Sequence, residues 1–453
     1  MINDLTQLHN VKKLLLAQER YSELEYFLKY MAYESLQILA GMYNSLGDYE
    51  LAKKNYLLSD KIIPRNWQTY TNLCDTLYKL KEYNGAELSA KSALQCPEGY
   101  KPEAIYNLAV ILSEFHKTQE SMEAYRKVLE LVPNNHVAQY NYGCECLKNN
   151  LFEEGWRYYE SRFEAFERLN HLRKVFRNIP DWNGESLKNK KIILYNEQGA
   201  GDLLHFIRFA KKIKDQKSKI IVACDSNMKN LFDYVDFVDD VICDQSEIDK
   251  KTKNCHFKCS VASLPFNLKI NNESQIYNKK YFNIKEKIKL KKSKNLKVGI
   301  VYAGSHLHPY DWRRSMFLSQ LKPLSELNNC DFYLLQKFQE RKRKWSTKIV
   351  DPFDVELFEN WVDLSSELKT YYDTAKAINS LDLLITVDTS IVHLAGAMNK
   401  KTWLLLDYNN DWRWGSESDT TYWYPSIKIF RQSSLDYNWE EVIQKVKSEL
   451  SCL

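Results

Sequence analysis

The sequence has little of what marks disordered, collagen-like or low-complexity chains. Only 13 Gly and 10 Pro occur among its 453 residues, whereas such chains are rich in both. No run reaches the roughly 18 apolar residues that a membrane-spanning helix needs, and no apolar core follows the charges at the start. The sequence therefore predicts compact globular structure without a transmembrane segment or a signal peptide.

A strong excess of one charge is also absent. The 64 basic and 59 acidic residues give a formal net charge of +5. A dedicated nucleic-acid binder needs a clear basic excess, so we expect no nucleic-acid partner.

The ten cysteines are scattered through a chain long enough to stabilise itself without disulfides. This pattern is typical of a reducing compartment, and we expect a cytoplasmic protein. Cys255, His256 and Cys259 lie close together in sequence, as do Cys144 and Cys146, but neither group has a second pair at the spacing of a metal site. We expect no metal ion.

An internal repeat of about 34 residues begins near Tyr33. Each repeat has two apolar helix faces with small residues at fixed positions, as at Ala40, Ala52, Ala86 and Ala109. The repeats resemble tetratricopeptide repeats (TPRs), whose concave face holds a peptide or protein. We assign residues 1–165 to a TPR α-solenoid with a capping helix pair at 1–32. Support of the next domain or self-association remains an alternative role.

The spacing of the apolar residues changes after a polar linker at 166–190. In the range 191–280, buried strand patterns alternate with helix patterns, which predicts a first Rossmann-like domain on a parallel sheet. A second such domain is predicted at 297–453. Ligands of paired modules of this kind bind where the carboxyl ends of the strands face a cleft.

A lysine-rich linker, 281–296, joins the two modules. Residues 279–297 carry nine Lys and one Glu. This run is typical of a solvated connection, and an anionic membrane surface is the alternative partner.

The first strand of the first module ends in a turn that holds Gly199, Gly201 and Asp202. Glycines allow a close backbone approach, and a helix start favours a polar or anionic ligand. Asp202 can accept a proton from an attacking hydroxyl. From the local sequence alone, a helix cap is the favoured role of Asp202.

The second module offers two further turns. Asp388, Thr389 and Ser390 follow a strand and open a helix that contains His393, so that free amides and hydroxyls can cradle a phosphate; capping is the alternative. Arg314 follows another strand at the same edge and can contact a diphosphate. On local sequence alone, such an arginine is more often a surface ion-pair partner.

The runs EQGAGDLLHFIRFA, VGIVYAGSHLHPYDWRRS and LDLLITVDTSIVHLAGAMNKKTWLLL, with DWRWG and YWYPSIKIFRQ after them, resemble bacterial TPR-containing glycosyltransferase-like proteins. Their catalytic half is similar to the ADP-heptose heptosyltransferases of glycosyltransferase family 9. The resemblance implies an α + α/β chain in which the TPR solenoid precedes a GT-B glycosyltransferase of two Rossmann-like domains, the first on the acceptor side and the second on the donor side.

The resemblance also implies residue roles. Asp202 corresponds to the general base, Ser305 and Arg314 to donor-phosphate contacts, and Asp388, Thr389 and His393 to the donor-binding segment. The donor is a nucleotide sugar used as substrate, so no further cofactor is expected. The implied reaction is inverting and independent of metal, and the repeats would hold a protein or peptide acceptor.

Two alternatives stay open at this point. One is the same chemistry on a glycan or lipid acceptor. The other is a TPR scaffold whose transferase half is inactive, because the first module is short and Ala200 and Lys401 depart from the relatives' pattern.

Overall fold

The computed structural model describes residues 2–97, 101–337 and 358–453. The chain divides into two compact units, 1–145 and 146–453. The first is helical and the second contains two parallel sheets. This confirms the expected order of a helical solenoid followed by α/β structure.

The first unit is a series of helical hairpins. Its helices are α1 (Ile2–Ala17), α2 (Tyr21–Leu46), α3 (Tyr49–Ile62), α4 (Trp67–Lys79), α5 (Tyr83–Gln95), α6 (Pro102–Glu114), α7 (Thr118–Leu131) and α8 (His136–Lys148), the last of which crosses the division between the units. Helix α2 packs on α3, α4 on α5 and α6 on α7.

Small residues let these helices cross closely. Ala40, Ala52, Ala86 and Ala109 have no exposed surface, as the repeat pattern predicts. Asp48 caps α3 by accepting the Leu51 N–H at 3.2 Å. The first unit is therefore a TPR-like solenoid whose periodicity is visible in the sequence.

The capping helix pair predicted at 1–32 corresponds to α1 and the first part of α2, but the second helix does not end at residue 32. Helix α2 runs without a break for 26 residues and ends only at Gly47, which adopts a left-handed φ of 81°. The terminal hairpin therefore shares its second helix with the first repeat.

The second unit begins with α9 (Phe152–Tyr159), α10 (Arg162–Ala165) and α11 (His171–Val175) and then forms its first sheet. The sheet order is β3-β2-β1-β4, and all of its pairs are parallel. The strands are β1 (Lys191–Tyr195), β2 (Lys219–Ala223), β3 (Asp240–Ile242) and β4 (Phe257–Ser260), and the helices are α12 (Ala200–Phe206), α13 (Ala210–Lys214), α14 (Ile248–Thr252) and α15 (Leu264–Asn267).

The second sheet has the order β10-β9-β8-β5-β6-β7 and is also parallel. Its strands are β5 (Leu296–Val301), β6 (Cys330–Leu334), β7 (Trp361–Asp363), β8 (Leu383–Val387), β9 (Thr402–Leu406) and β10 (Ile427–Arg431). Its helices are α16 (Asp311–Arg314), α17 (Lys322–Ser325), α18 (Tyr371–Ser380), α19 (Ser390–Ala397) and α20 (Glu440–Ser451).

Several predicted elements are shorter than their patterns. The apolar spacing of 203–213 predicts one helix, but a 3₁₀ turn at Ile207–Phe209 interrupts it. The run 227–235 also predicts a helix and is part of a 3₁₀ turn at Ser226–Tyr234. The run 256–264 predicts a fourth strand, which ends at Ser260. In each case the apolar pattern continues into turns with buried side chains, which periodicity alone cannot separate from regular structure.

Candidate functional site

The first strand-to-helix turn holds the predicted base in a capping position. The Gly199 N–H donates to Asp202 Oδ2 at 3.0 Å, and the Asp202 N–H returns a bond to the Gly199 carbonyl at 3.0 Å. Burial raises the pKa of Asp202 above its ordinary value. Asp202 therefore forms the helix-capping hydrogen bonds, and its carboxylate also has a raised pKa.

A second partner of Asp202 comes from far along the chain. Arg413 donates from Nη2 to Asp202 Oδ1 at 2.6 Å and from Nη1 to Asp411 Oδ1 at 2.8 Å. The Arg413 side chain is only 7% exposed, and no acceptor among the described residues meets its Nε. Arg413 thus joins a carboxylate of the first sheet's turn to one from the loop after β9.

The second turn, between β8 and α19, contains the predicted phosphate cradle. Thr389 caps α19 by accepting the Ile391 N–H at 3.2 Å, and the Ser390 hydroxyl lies 2.9 Å from that of Tyr371. Burial, with Asp411 nearby, raises the pKa of Asp388 to about 7, and Arg314 opposes the shift.

These two turns meet. A Cβ added at Gly201 would lie 3.1 Å from His393 Cδ2 and 3.3 Å from Ser390 Cα. The structure therefore brings the predicted Asp202 turn and the predicted donor turn to one place, although they are almost 190 residues apart in sequence.

Gly201→Ala is expected to lower the free energy of unfolding by about 1–3 kcal/mol, because the added methyl group overpacks this contact. Gly199→Ala is the matched control, since its Cβ would meet Asp202 Oδ2 at an ordinary 3.4 Å. Urea denaturation of both variants measures the difference, and equal stability of the two would contradict the close approach.

Arg314 lies at the edge formed by the end of β5. Its guanidinium covers Gly304, where a Cβ would be 2.6 Å from Nη2, and its Nε is 3.5 Å from Asp311 Oδ1. Its two terminal nitrogens have no hydrogen-bond acceptor in the described part of the chain. Ser305, one residue beyond Gly304, is exposed.

Two buried histidines share one tyrosine beside these turns. His205 Nδ1 and His393 Nδ1 lie 3.2 and 3.0 Å from the Tyr424 hydroxyl. A phenol has one proton to donate, so at most one of the two rings accepts it, and the other can bond the same oxygen only by donating its own N–H. Burial lowers the pKa of both histidines, and nearby arginines lower it further, which keeps the rings neutral.

Four aromatic residues beside the histidine pair are packing residues. Trp412, Trp414, Trp423 and Tyr424 are all buried. Trp414 stacks on the His393 ring at 5.4 Å, and Trp423 meets the His205 ring edge-on at 4.4 Å. They fix the ring positions of the histidine pair.

A buried ion pair contacts the turn that carries Asp202. Arg162 and Glu197 both have fully buried side chains, and Arg162 Nε donates to Glu197 Oε1 at 2.9 Å. Arg162 also donates to Glu160 Oε1 at 2.6 Å and to the Ser263 hydroxyl at 2.7 Å. The segment before the first sheet is thereby fixed to the turn that carries Asp202.

Sequence reasoning missed Arg413, Asp411, Tyr424 and Arg162 as site residues. Three of these residues lie in the runs DWRWG and YWYP. The spacing within these runs does not indicate that their side chains contact the turn and helix after the first strand of the first sheet. In the described residues, no three His, Cys, Asp or Glu side chains are grouped to hold a metal ion. None of the helices described is both long and apolar enough to cross a membrane.

Comparison with known proteins gives matches to TPR proteins, and no family model matches the chain. It is 34% identical over 88 residues to Small glutamine-rich tetratricopeptide repeat-containing protein 2 of Saccharomyces cerevisiae, which covers 19% of this chain. The chain spans about a quarter of that curated relative's length.

Among solved structures, it is similar to the second TPR domain of human RPAP3 in complex with an HSP70 peptide. The identity is 20%, the coverage is 26% of this chain and 97% of that one, and the TM-score is 0.25. It is also similar to MamA of Desulfovibrio magneticus, with 18% identity, coverage of 36% and 93%, and a TM-score of 0.28. None of these three proteins is described as a glycosyltransferase.

Proposed function

We propose that the second unit transfers a sugar from a nucleotide-sugar donor to a hydroxyl group. The observation that carries the proposal is the meeting of two strand-to-helix turns, which places the Asp202 turn against the Asp388–Ser390 turn. Arg314, in α16 after the first strand of the second sheet, has terminal nitrogens without a hydrogen-bond acceptor among the described residues.

In the proposed reaction, Asp202 takes the proton of the acceptor hydroxyl as its oxygen attacks the anomeric carbon. The bond from that carbon to the diphosphate breaks, and the leaving group carries away the electron pair with inversion at carbon. Arg314 balances the charge that builds on the diphosphate. The amides at the start of α19 and the Thr389 and Ser390 hydroxyls cradle the donor phosphates, with Gly199, Gly201, Ser305 and His393 lining the same site.

Arg413 has two roles in this proposal. Its charge favours the ionised, proton-accepting form of Asp202, and its bond to Oδ1 fixes the carboxylate's orientation. The neutral histidine pair contributes no competing charge beside the base. We assign the reaction to the GT-B, heptosyltransferase-like class with no metal step, and the first unit to binding an extended peptide segment of the acceptor.

A TPR binding protein without turnover is the second candidate. One observation favours it: both carboxylate oxygens of Asp202 are already engaged, by the Gly199 N–H and by Arg413. Its relative named for TPR repeats and the peptide-bound domain of RPAP3 are consistent with that role.

A thermal-shift screen against ADP-, UDP-, GDP- and CMP-sugars and the free nucleotides tests the donor site. We expect one nucleotide class to raise the melting temperature by several degrees, since a ligand at 100 times its Kd stabilises by about 2.7 kcal/mol. Arg314→Gln should abolish the shift.

Arg177→Gln is the control. Arg177 is exposed, and its substitution removes the same charge at a different place on the surface. No shift with any nucleotide, or an equal loss in both variants, would contradict the assignment of Arg314 and favour the binding-protein candidate.

A further inference from the structure

The excess positive charge of the chain is concentrated in one short segment. We call residues 279–297 the lysine strip; it holds nine Lys and one Glu. Removing these from the chain's 64 basic and 59 acidic residues leaves 55 and 58. The strip is therefore +8 while the rest of the chain is −3, and the molecule is strongly polarised in charge.

Backbone hydrogen bonds fix the strip in place within the second unit. The Asn283 N–H donates to the Tyr234 carbonyl at 3.0 Å, and the Ile288 N–H donates to the Ser380 hydroxyl at 2.8 Å. Tyr234 lies after the second strand of the first sheet, and Ser380 ends α18 beside the second sheet. The backbone of the strip is thus hydrogen-bonded to an element beside each of the two sheets.

Eight of its nine lysines are exposed. Exposure alternates over 287–291, where the three lysines are exposed and the apolar Ile288 and Leu290 between them are partly buried. This period of two is typical of extended backbone, in which alternate side chains are about 6.6 Å apart on one side. No lysine of the strip forms an ion pair with any other described residue.

A small cavity of about 80 Å³ adjoins the beginning of the strip. Its lining includes Lys211, Lys214, Lys280, Asp236 and Asn283. Lys280 and Asn283 belong to the strip, so the cavity and the exposed lysines form one continuous surface.

We infer that the lysine strip binds an anionic membrane surface. An array of unpaired ammonium groups on one side of a fixed segment matches a plane of lipid charges, and each lysine near such a surface contributes on the order of 1 kcal/mol. The strip has no Arg and no exposed aromatic residue, the two residue types that nucleic-acid recognition uses most.

Vesicle sedimentation tests the inference independently of sugar transfer. The full chain is mixed with phosphatidylcholine vesicles that do or do not contain phosphatidylglycerol, at about 0.1 M salt, where surface charges act over about 10 Å. We expect binding only to the anionic vesicles. Replacing Lys285, Lys287, Lys289 and Lys291 by Gln should weaken it about 100- to 1,000-fold, and replacing them by Arg should preserve it.

The matched control replaces four other exposed lysines by Gln: Lys188, Lys217, Lys253 and Lys401. It changes the net charge equally and should retain most of the binding. Equal loss in both Gln variants, no binding to anionic vesicles, release by inorganic phosphate beyond that by chloride at equal ionic strength, or tighter binding to a duplex DNA oligomer would each overturn the inference.

Discussion

Asp202→Asn is expected to lower the rate of sugar transfer about 10²- to 10⁴-fold, the usual contribution of a general base, with little change in the Kd of the donor. Asn has the size of Asp and can still accept one of its two hydrogen bonds, but it cannot take a proton. Because burial raises the pKa of Asp202, kcat/KM should rise with pH through a value above the ordinary range of an aspartate. Initial rates across pH, with donor titrations of both proteins, measure these effects.

The control for this prediction is Asp411→Asn, which removes the other carboxylate bound to Arg413 and leaves the base in place. It should lower turnover much less. An equal loss of turnover in the two variants would mean that Asp202 acts by positioning Arg413. Unchanged turnover in Asp202→Asn would show that Asp202 is not the general base.

Arg162→Met is expected to destabilise the second unit by about 3–5 kcal/mol. The substitution leaves the Glu197 carboxylate buried without its charge partner, and an uncompensated buried charge costs about that much. Urea denaturation followed by tryptophan fluorescence reports on this unit, because ten of the eleven tryptophans lie within residues 146–453.

Arg173→Met is the comparison for this experiment. Arg173 and its partner Asp181 are 40% and 38% exposed, and pairs of that kind contribute at most about 1 kcal/mol. A loss of similar size in both variants would contradict the assignment of the Arg162–Glu197 pair as the support of the Asp202 turn.

Most of the architecture could be predicted because its signals are local. The runs at 192–195 and 220–223 are continuously apolar, and 383–387 is apolar apart from Thr386. Buried parallel strands have this composition, so these runs predict strands. The repeat positions at Ala52 and Ala86 show the close helix crossings directly. In contrast, β7, β10 and α20 were not predicted, since three- and five-residue strands and a terminal helix carry weak patterns.

The candidate site could be predicted only in part. The turns with Asp202 and Asp388 follow strands, so their place at the sheet edge is implied by sequence order. The contact of Arg413 with Asp202 joins residues 211 positions apart, and the Tyr424 bridge to His205 spans 219. Such contacts depend on how two sheets pack, which no spacing within a single segment encodes.

The most direct test of the central claim is the release of nucleoside diphosphate from a pool of nucleotide sugars by the purified wild-type chain. We expect release from one nucleotide class, increased by an acceptor that the first unit binds. Binding of a donor without any release would contradict the transferase assignment and make the chain a nucleotide-sugar-binding TPR protein.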